Sequence, residues 1–445
     1  MNPKSTSHSS LDNIEPELRN GKMKTLVKYA GCASLLGMLM LTLAPAQAAV
    51  LVQCPGDDDG DAVINTIDPA HPNAKCMHLS AGDGFANMGD GYLQYMFGFG
   101  NLTGVLPEDA IDAGILNANI SAPTIELEEG QEFYLTLTNT GMVFRPDLFD
   151  SHTVHFHGFP NASSIFDGLP DATISINMGA SLTYYYNIVE PGTYLYHCHV
   201  EAAEHMQMGM VGNLWVHPGQ NGDAYTYPNR LGEDKTYTKF VYNDGDGSTG
   251  YDIEMPLQIS GFDPVFHDAS LNTQPLPFAD MLDTYHMFNG RGYPATVQSN
   301  DYYVNNPGEA QAIIGEYKSS QQNLPGNDPL VNINTQPLNS LPPETVRVGD
   351  KLLLRITNLS ITKFHTVTVL GLPMKVIGTG GRELDEKYDT ASVNLGGGEA
   401  YDVVVDTAGV TPGTYFVYIT ELDELSNNQE SFGGPMTEIV VSPAI

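Results

Sequence analysis

From Ala122 onward the chain is written in short runs of alternating apolar and polar residues, rich in Val, Ile, Tyr and Thr and broken by Gly, Pro and Asn. APTIELEEGQEFYLTLTN, SLTYYYNIV, GTYLYHCHV and GNLWVHP are the first of them. A period of two puts successive side chains on opposite faces of a strand, whereas a helix needs apolar residues three and four apart. Almost no stretch carries the longer period. The spacing of the runs and their turn-forming punctuation predict an all-β protein organised as a sandwich.

The runs also repeat. Leu352 to Asn358 (LLLRITN) echoes Phe133 to Asn139 (FYLTLTN), and Phe364 to Gly371 (FHTVTVLG) echoes Ser151 to Gly158 (SHTVHFHG). Pro412 to Thr420 (PGTYFVYIT) echoes Pro191 to His199 (PGTYLYHCH). Two copies of one β domain follow from this, with a small N-terminal extension over residues 49–114 and the first copy over 115–217. The span 218–445 holds a linker and the second copy, opened by the stretch from Asp263 to Pro294. Within it, the Asn-, Gln- and Pro-rich stretch from Gln311 to Pro343 is expected as a long loop.

At 445 residues the chain is long enough for domains that each bury a core. Its 19 Lys+Arg against 53 Asp+Glu, a net charge of −34, exclude nucleic acid and anionic membranes as partners. The run from Met23 to Ala48, with Lys24 and Lys28 ahead of an apolar core and Ala46-Gln47-Ala48 at its end, has the form of a secretory signal cut after Ala48. A secreted or periplasmic protein with no membrane span after cleavage is expected, and residues 1–48 are set aside from fold reasoning.

Of the four cysteines, Cys32 leaves with the signal, and Cys54 and Cys76 are free to pair in an oxidising compartment. Cys198, a lone thiol between two histidines, is better explained by metal ligation. Asp57, Asp58, Asp59 and Asp61 around Gly60 have the look of the opening of a calcium loop, but the later bidentate acid is absent, and an acidic surface loop is the simpler reading.

The chemistry concentrates in two segments. SHTVHFHG carries His152, His155 and His157, and YHCHVEAAEHMQMGM, from Tyr196 to Met210, carries His197, Cys198, His199 and His205, so six of the thirteen histidines lie here. A blue-copper centre needs two imidazoles, a thiolate and a weak axial thioether. His152, Cys198, His205 and Met210 supply that set, with Met206 and Met208 as rival axial donors. His155 and His157 share one face of a strand, opposite Phe156, and His197 and His199 share a face opposite the Cys198 thiolate. A second copper site beside the first is therefore expected. Asp167, between the two segments, is a candidate carboxylate beside that site, although a turn is the simpler reading of Gly168 and Pro170 there.

The HxxHxHG and HCH…H…M pair resembles that of the multicopper oxidases, the cupredoxin-fold family of laccases, bilirubin oxidases and two-domain relatives that includes copper nitrite reductases. The resemblance covers about residues 115–445 and implies cupredoxin-like Greek-key sandwiches. It implies type 1 copper on His152, Cys198, His205 and Met210. It also implies type 2 and type 3 copper on His155, His157, His197 and His199, where electrons from a small reducing substrate or redox protein would reduce O2. The spacing of seven residues from Cys198 to His205 is longer than in most laccases and shorter than in nitrite reductases.

The second copy departs from the pattern. Thr368 and Leu370 stand opposite His155 and His157, and Tyr418, Ile419 and Thr420 opposite His197, Cys198 and His199, so only His365 survives, opposite His152. In two-domain relatives the missing histidines come from a neighbouring subunit of a trimer; His267, His286 and His365 are the remaining candidate donors in this chain, and a structural role is the simpler reading of each because none has a partner histidine two residues away. Two rival readings stay open: a copper nitrite reductase-like enzyme, with nitrite as acceptor, and a non-catalytic electron carrier using the type 1 centre alone.

Overall fold

The computed structural model describes residues 50–160, 162–298 and 346–444. The run expected as a secretory signal and the stretch expected as a long loop, Gln311 to Pro343, lie outside the described residues. Strands dominate, as the period-two runs require.

The first sandwich has two four-stranded sheets. One contains β1 (Ala74–Asn87), β2 (Leu93–Asn101), β4 (Glu132–Gly141) and β6 (Ser181–Asn187) in the order β2-β1-β4-β6, and the other contains β3 (Ile125–Glu128), β5 (His155–His157), β7 (Gly192–His197) and β8 (Val211–His217) in the order β3-β8-β7-β5. Phe133, Leu135 and Leu137 of β4 and Tyr194 and Tyr196 of β7 fill the space between them. Part of the segment expected as an N-terminal extension thus joins the first sandwich as β1 and β2. The residues before Ala74 are tied to it by the Cys54–Cys76 disulfide.

Small strands bridge the two halves: β9 (Tyr225–Pro228) pairs with β10 (Asp234–Tyr237), and β11 (Lys239–Phe240) with β12 (Gly250–Tyr251). The second sandwich opens earlier than Asp263, with β13 (Ile253–Phe262), followed by β14 (Tyr285–Phe288), β15 (Lys351–Asn358), β16 (His365–Val369), β17 (Met374–Thr379), β18 (Arg382–Thr390), β19 (Ser392–Leu395), β20 (Ala400–Asp406), β21 (Gly413–Ile419) and β22 (Met436–Val441). Its sheets run β14-β13-β15-β20-β17-β18 and β19-β16-β21-β22. The duplication is structural as well. β1 and β4 pair in parallel as β13 and β15 do, and the register His155↔His197 across β5 and β7 recurs as Thr368↔Tyr418 across β16 and β21. Both halves are cupredoxin-like β-sandwiches.

β7 and β15 are buried along their whole length because both faces are covered. The outward residues of β7 meet the second sandwich: Thr193 donates to the Asp402 carboxylate at 2.5 Å, and Leu195 packs on Leu359. Arg355 reaches from β15 to Thr193 at 2.8 Å and pairs with Glu254 at 2.7 Å.

Candidate metal centre

The alternation of β7 sets where each donor goes. Tyr194, Tyr196 and Cys198 point into the first core, while Thr193, Leu195 and His197 point toward the second sandwich. On β5, Phe156 points inward, and His155 and His157 point to the same outer side as His197. A thiolate and its two flanking imidazoles therefore serve opposite faces of one strand.

Inside the sandwich, Cys198 Sγ lies 3.2 Å from His205 Nδ1 and 3.7 Å from His152 Nδ1, and all three residues are buried. The spacing of seven residues between Cys198 and His205 is taken up by a short helix, α1 (Ala202–Gln207), entered through Glu201 in the left-handed region at φ 45°. Glu201 O accepts from the His205 amide at 3.0 Å, which fixes the ring's place on the helix. Met210 is buried beside the pair, its carbonyl accepting from the Cys198 amide at 3.2 Å and its amide donating to His205 O at 2.9 Å. Met208 is also buried in this core, while Met206 faces the outer side.

Burial opposes ionisation of Cys198, but the adjoining His205 and His152 rings outweigh it and hold the thiol well below its usual range. His205 Nε2 has no hydrogen-bond partner, and the Asp150 carboxylate lies 3.8 Å from it. Two imidazole nitrogens converging on a buried thiolate, with a thioether residue adjoining, form a donor set that fits a soft, redox-active metal.

On the outer side the four remaining histidines gather. The His155 ring lies 5.3 Å from His197, 5.1 Å from His199 and 6.0 Å from His157, centre to centre. Three of these rings are held at Nδ1 by carbonyls: His155 by Asp167 O at 2.6 Å, His157 by Gly398 O at 2.7 Å and His197 by Cys198 O at 2.9 Å. An Nδ1–H committed to a carbonyl leaves the Nε2 lone pair free for a metal. Burial pushes His155 down and His197 down to about 3, so both rings are neutral and suited to ligation. Asp167 thus touches the site mainly through its backbone, its carboxylate lying 3.6 Å from His155 Nδ1.

All four histidines line a cavity of about 650 Å³ whose opposite wall is the second sandwich of the same chain, including Lys363, Phe364, Gly398 and Glu399. None of His267, His286 and His365 lines it. His267 is buried between the carbonyls of Tyr95 and Gln207, at 2.5 and 2.9 Å, and is a structural histidine. His286 and His365 lie together in the second sandwich. Local spacing does not reveal Lys363, Gly398, Glu399 and Asp150, whose contacts with the site come from folding. In the acidic loop, Asp57 accepts from the amides of Gly60 at 2.7 Å and Ala62 at 2.8 Å, a loop-bracing role.

Residues 106–221 and 283–441 each match a family model described as multicopper oxidase. The chain is 24% identical over 296 residues to multicopper oxidase MmcO of Mycobacterium tuberculosis, covering 65% of this chain and 47% of that protein. It is 23% identical over 319 residues to copper resistance protein A of Pseudomonas syringae pv. tomato, covering 69% and 44%. The chain spans about half or less of the length of the curated relatives it matches. Its fold resembles blue copper oxidase from Nitrosomonas europaea, with a TM-score of 0.55, 20% identity and coverage of 83% of this chain and 86% of that one. Copper nitrite reductase from the same organism is similar at a TM-score of 0.51 and 14% identity, covering 83% and 94%. With both of its halves matched and a His-Cys-His strand serving two donor clusters, the chain belongs to the multicopper oxidase family.

Proposed function

We propose that this protein is an exported copper-dependent oxidoreductase that takes electrons from a reducing substrate and delivers them to O2 in the cavity between its two sandwiches. The observation that carries the reading is the His197-Cys198-His199 strand, which places a buried thiolate and two cavity-facing imidazoles on adjacent residues. Copper bound at the two clusters supplies one-electron redox chemistry, which the protein's own side chains lack.

The chain's residues supply the setting. His152, Cys198, His205 and Met210 are buried in the packed first core, where close packing would limit rearrangement of donors between oxidation states. His155, His157 and His197 are oriented by carbonyls so that their free nitrogens are fixed before any ligand arrives. Reduction of O2 to water consumes protons, and Lys363 and Glu399 on the opposite wall are the cavity's ionisable groups from the second sandwich. The Cys54–Cys76 disulfide supports export to an oxidising compartment, secreted or periplasmic, together with the leader sequence. Among the described residues no helix is long and apolar enough to cross a membrane.

One observation favours a second reading. The fold is similar to that of a copper nitrite reductase from Nitrosomonas europaea, which supports nitrite as the acceptor, while the Lys363 ammonium on the cavity wall is paired with Asp423 at 2.8 Å and Glu424 at 3.5 Å. Turnover separates the two. Oxygen uptake driven by a phenolic or metal-ion reductant, lost in Cys198→Ser, is expected of the oxidase. Nitrite consumption without oxygen uptake selects the alternative. A blue protein that turns over neither acceptor is an electron carrier and contradicts the enzymatic reading.

A further inference from the structure

The second sandwich has lost the thiolate, yet the position of the lost centre is furnished with other donors. Asn139 Nδ2 donates to Asp150 O and Ile176 O, framing His152, and Asn358 Nδ2 donates to Lys363 O and Leu395 O, framing His365 in the same way. His365 thus stands where His152 stands. Across β1 and β2, Ala81 pairs with Phe99 and Asp83 with Phe97; across β13 and β14, Ile259 pairs with Phe288 and Gly261 with His286. His286 therefore takes the place of Phe97, whose ring lies 5.9 Å from His205 in the first sandwich. Glu424 ends a 3-10 turn five residues after Ile419, the residue that replaces Cys198, as His205 follows Cys198 by seven in the first copy.

These three side chains converge. His365 Nδ1 lies 2.9 Å and His286 Nδ1 3.9 Å from Glu424 Oε2, and one ligand atom from each lies within 4.8 Å of the others. The side chains are no more than 2% exposed, and His286 Nδ1 has no hydrogen-bond partner. Lys363 Nζ sits 3.5 Å from Glu424 Oε1, on the far side of the carboxylate, so Oε2 is left to the histidines. A small cavity of about 100 Å³, lined by Ile419, Glu424, Phe432 and Met436 among others, reaches Glu424 and gives an approach path.

We propose that the second sandwich binds a divalent first-row metal ion on His286, His365 and Glu424, a two-histidine, one-carboxylate site in the place of the lost blue-copper centre. Donors bound to one such ion at roughly 2.0–2.2 Å lie about 3–3.5 Å apart, close to the spacing already present. With Ile419 in place of the thiolate the site cannot be a blue-copper centre, and imidazole with carboxylate suits zinc or a related cation. Metal entry replaces the proton shared by His365 and Glu424 and ties β14, β16 and the turn at Glu424 together.

The test loads the full chain with copper, titrates it with Co(II) as the probe, removes loose metal by desalting, and compares wild type with His286→Ala and Glu424→Gln. The wild type is expected to retain one more Co(II) per chain than either variant, at unchanged blue absorbance, and Glu424→Gln is expected to bind it at least tenfold more weakly. Wild-type thermal stability should rise with Co(II), and that rise should vanish in Glu424→Gln, which keeps the side-chain volume. Equal Co(II) retention in wild type and both folded variants, or none in the wild type, overturns the proposal. A cobalt ion lost only in His217→Ala places the binding at the Glu126–His217–Glu254 group and overturns it as well.

Discussion

Gly398 shows how much of the site hangs on single atoms. Its carbonyl holds His157 Nδ1 at 2.7 Å from 241 positions away in sequence, and its φ of +86° lies where L side chains are rarely found. A Cβ there would stand 2.5 Å from His157 Cε1. Gly398→Ala is therefore expected to weaken copper binding at the cavity histidines by about 10–100-fold while leaving the blue absorbance intact, as read by copper analysis and EPR. Unchanged copper content contradicts that role. His152 to His157 and His197 to His205 are visible in the sequence because a strand's period of two needs only neighbours to sort them by face. Gly398, Lys363 and Asp150 are not visible, because each reaches the site only through tertiary packing.

At the scale of elements, β7 and β15 join the two sandwiches through their outer faces. Arg355 is the buried centre of that contact, paired with Glu254 at 2.7 Å and lying 3.6 Å from Asp402. Replacing it by Met strands two carboxylates and is expected to cost roughly 3–5 kcal/mol, measured by denaturant unfolding. Burial pushes the Glu254 carboxyl up, but Arg355 and His217 outweigh it and bring it down from 4.5 to about 2. A depressed carboxylate contributes stability above its unfolded value and loses it as pH falls through the folded one, so this pair should weaken between about pH 5 and pH 2. Melting temperatures across that window should fall less steeply in Glu254→Gln than in the wild type. An identical pH slope in both proteins would remove Glu254 from the explanation.

The same scale shows what the sequence concealed. β1 and β2 are glycine-rich, and their alternation is broken where strand packing demands it. A Cβ on Gly98 would lie 2.9 Å from the Asn119 amide nitrogen, and one on Gly100 2.3 Å from Asn117 O. Backbone passing that close needs glycine in a strand, and glycine is what makes such a strand read as a turn. The duplicated runs of β4, β7, β15 and β21 carry glycine at most at their ends, so their alternation is unbroken and their echo exposed both sandwiches.

For the whole molecule, the arrangement is a division of labour between two copies of one fold. The first keeps the thiolate centre in its core and offers four imidazoles on its outer face. The second closes over those imidazoles with Lys363, Gly398 and Glu399. The missing partner histidines of the family pattern are not replaced on that wall by His267, His286 or His365, so the capacity of the cavity for copper is the decisive quantity. It is measured most directly as copper per chain, with visible and EPR spectra, in the wild type, in Cys198→Ser and in a His155→Ala/His199→Ala double variant. More than one copper per chain is expected, with the blue signal alone lost in Cys198→Ser and the remainder lost in the double variant. One copper per chain, blue and indifferent to the histidine substitutions, would contradict it.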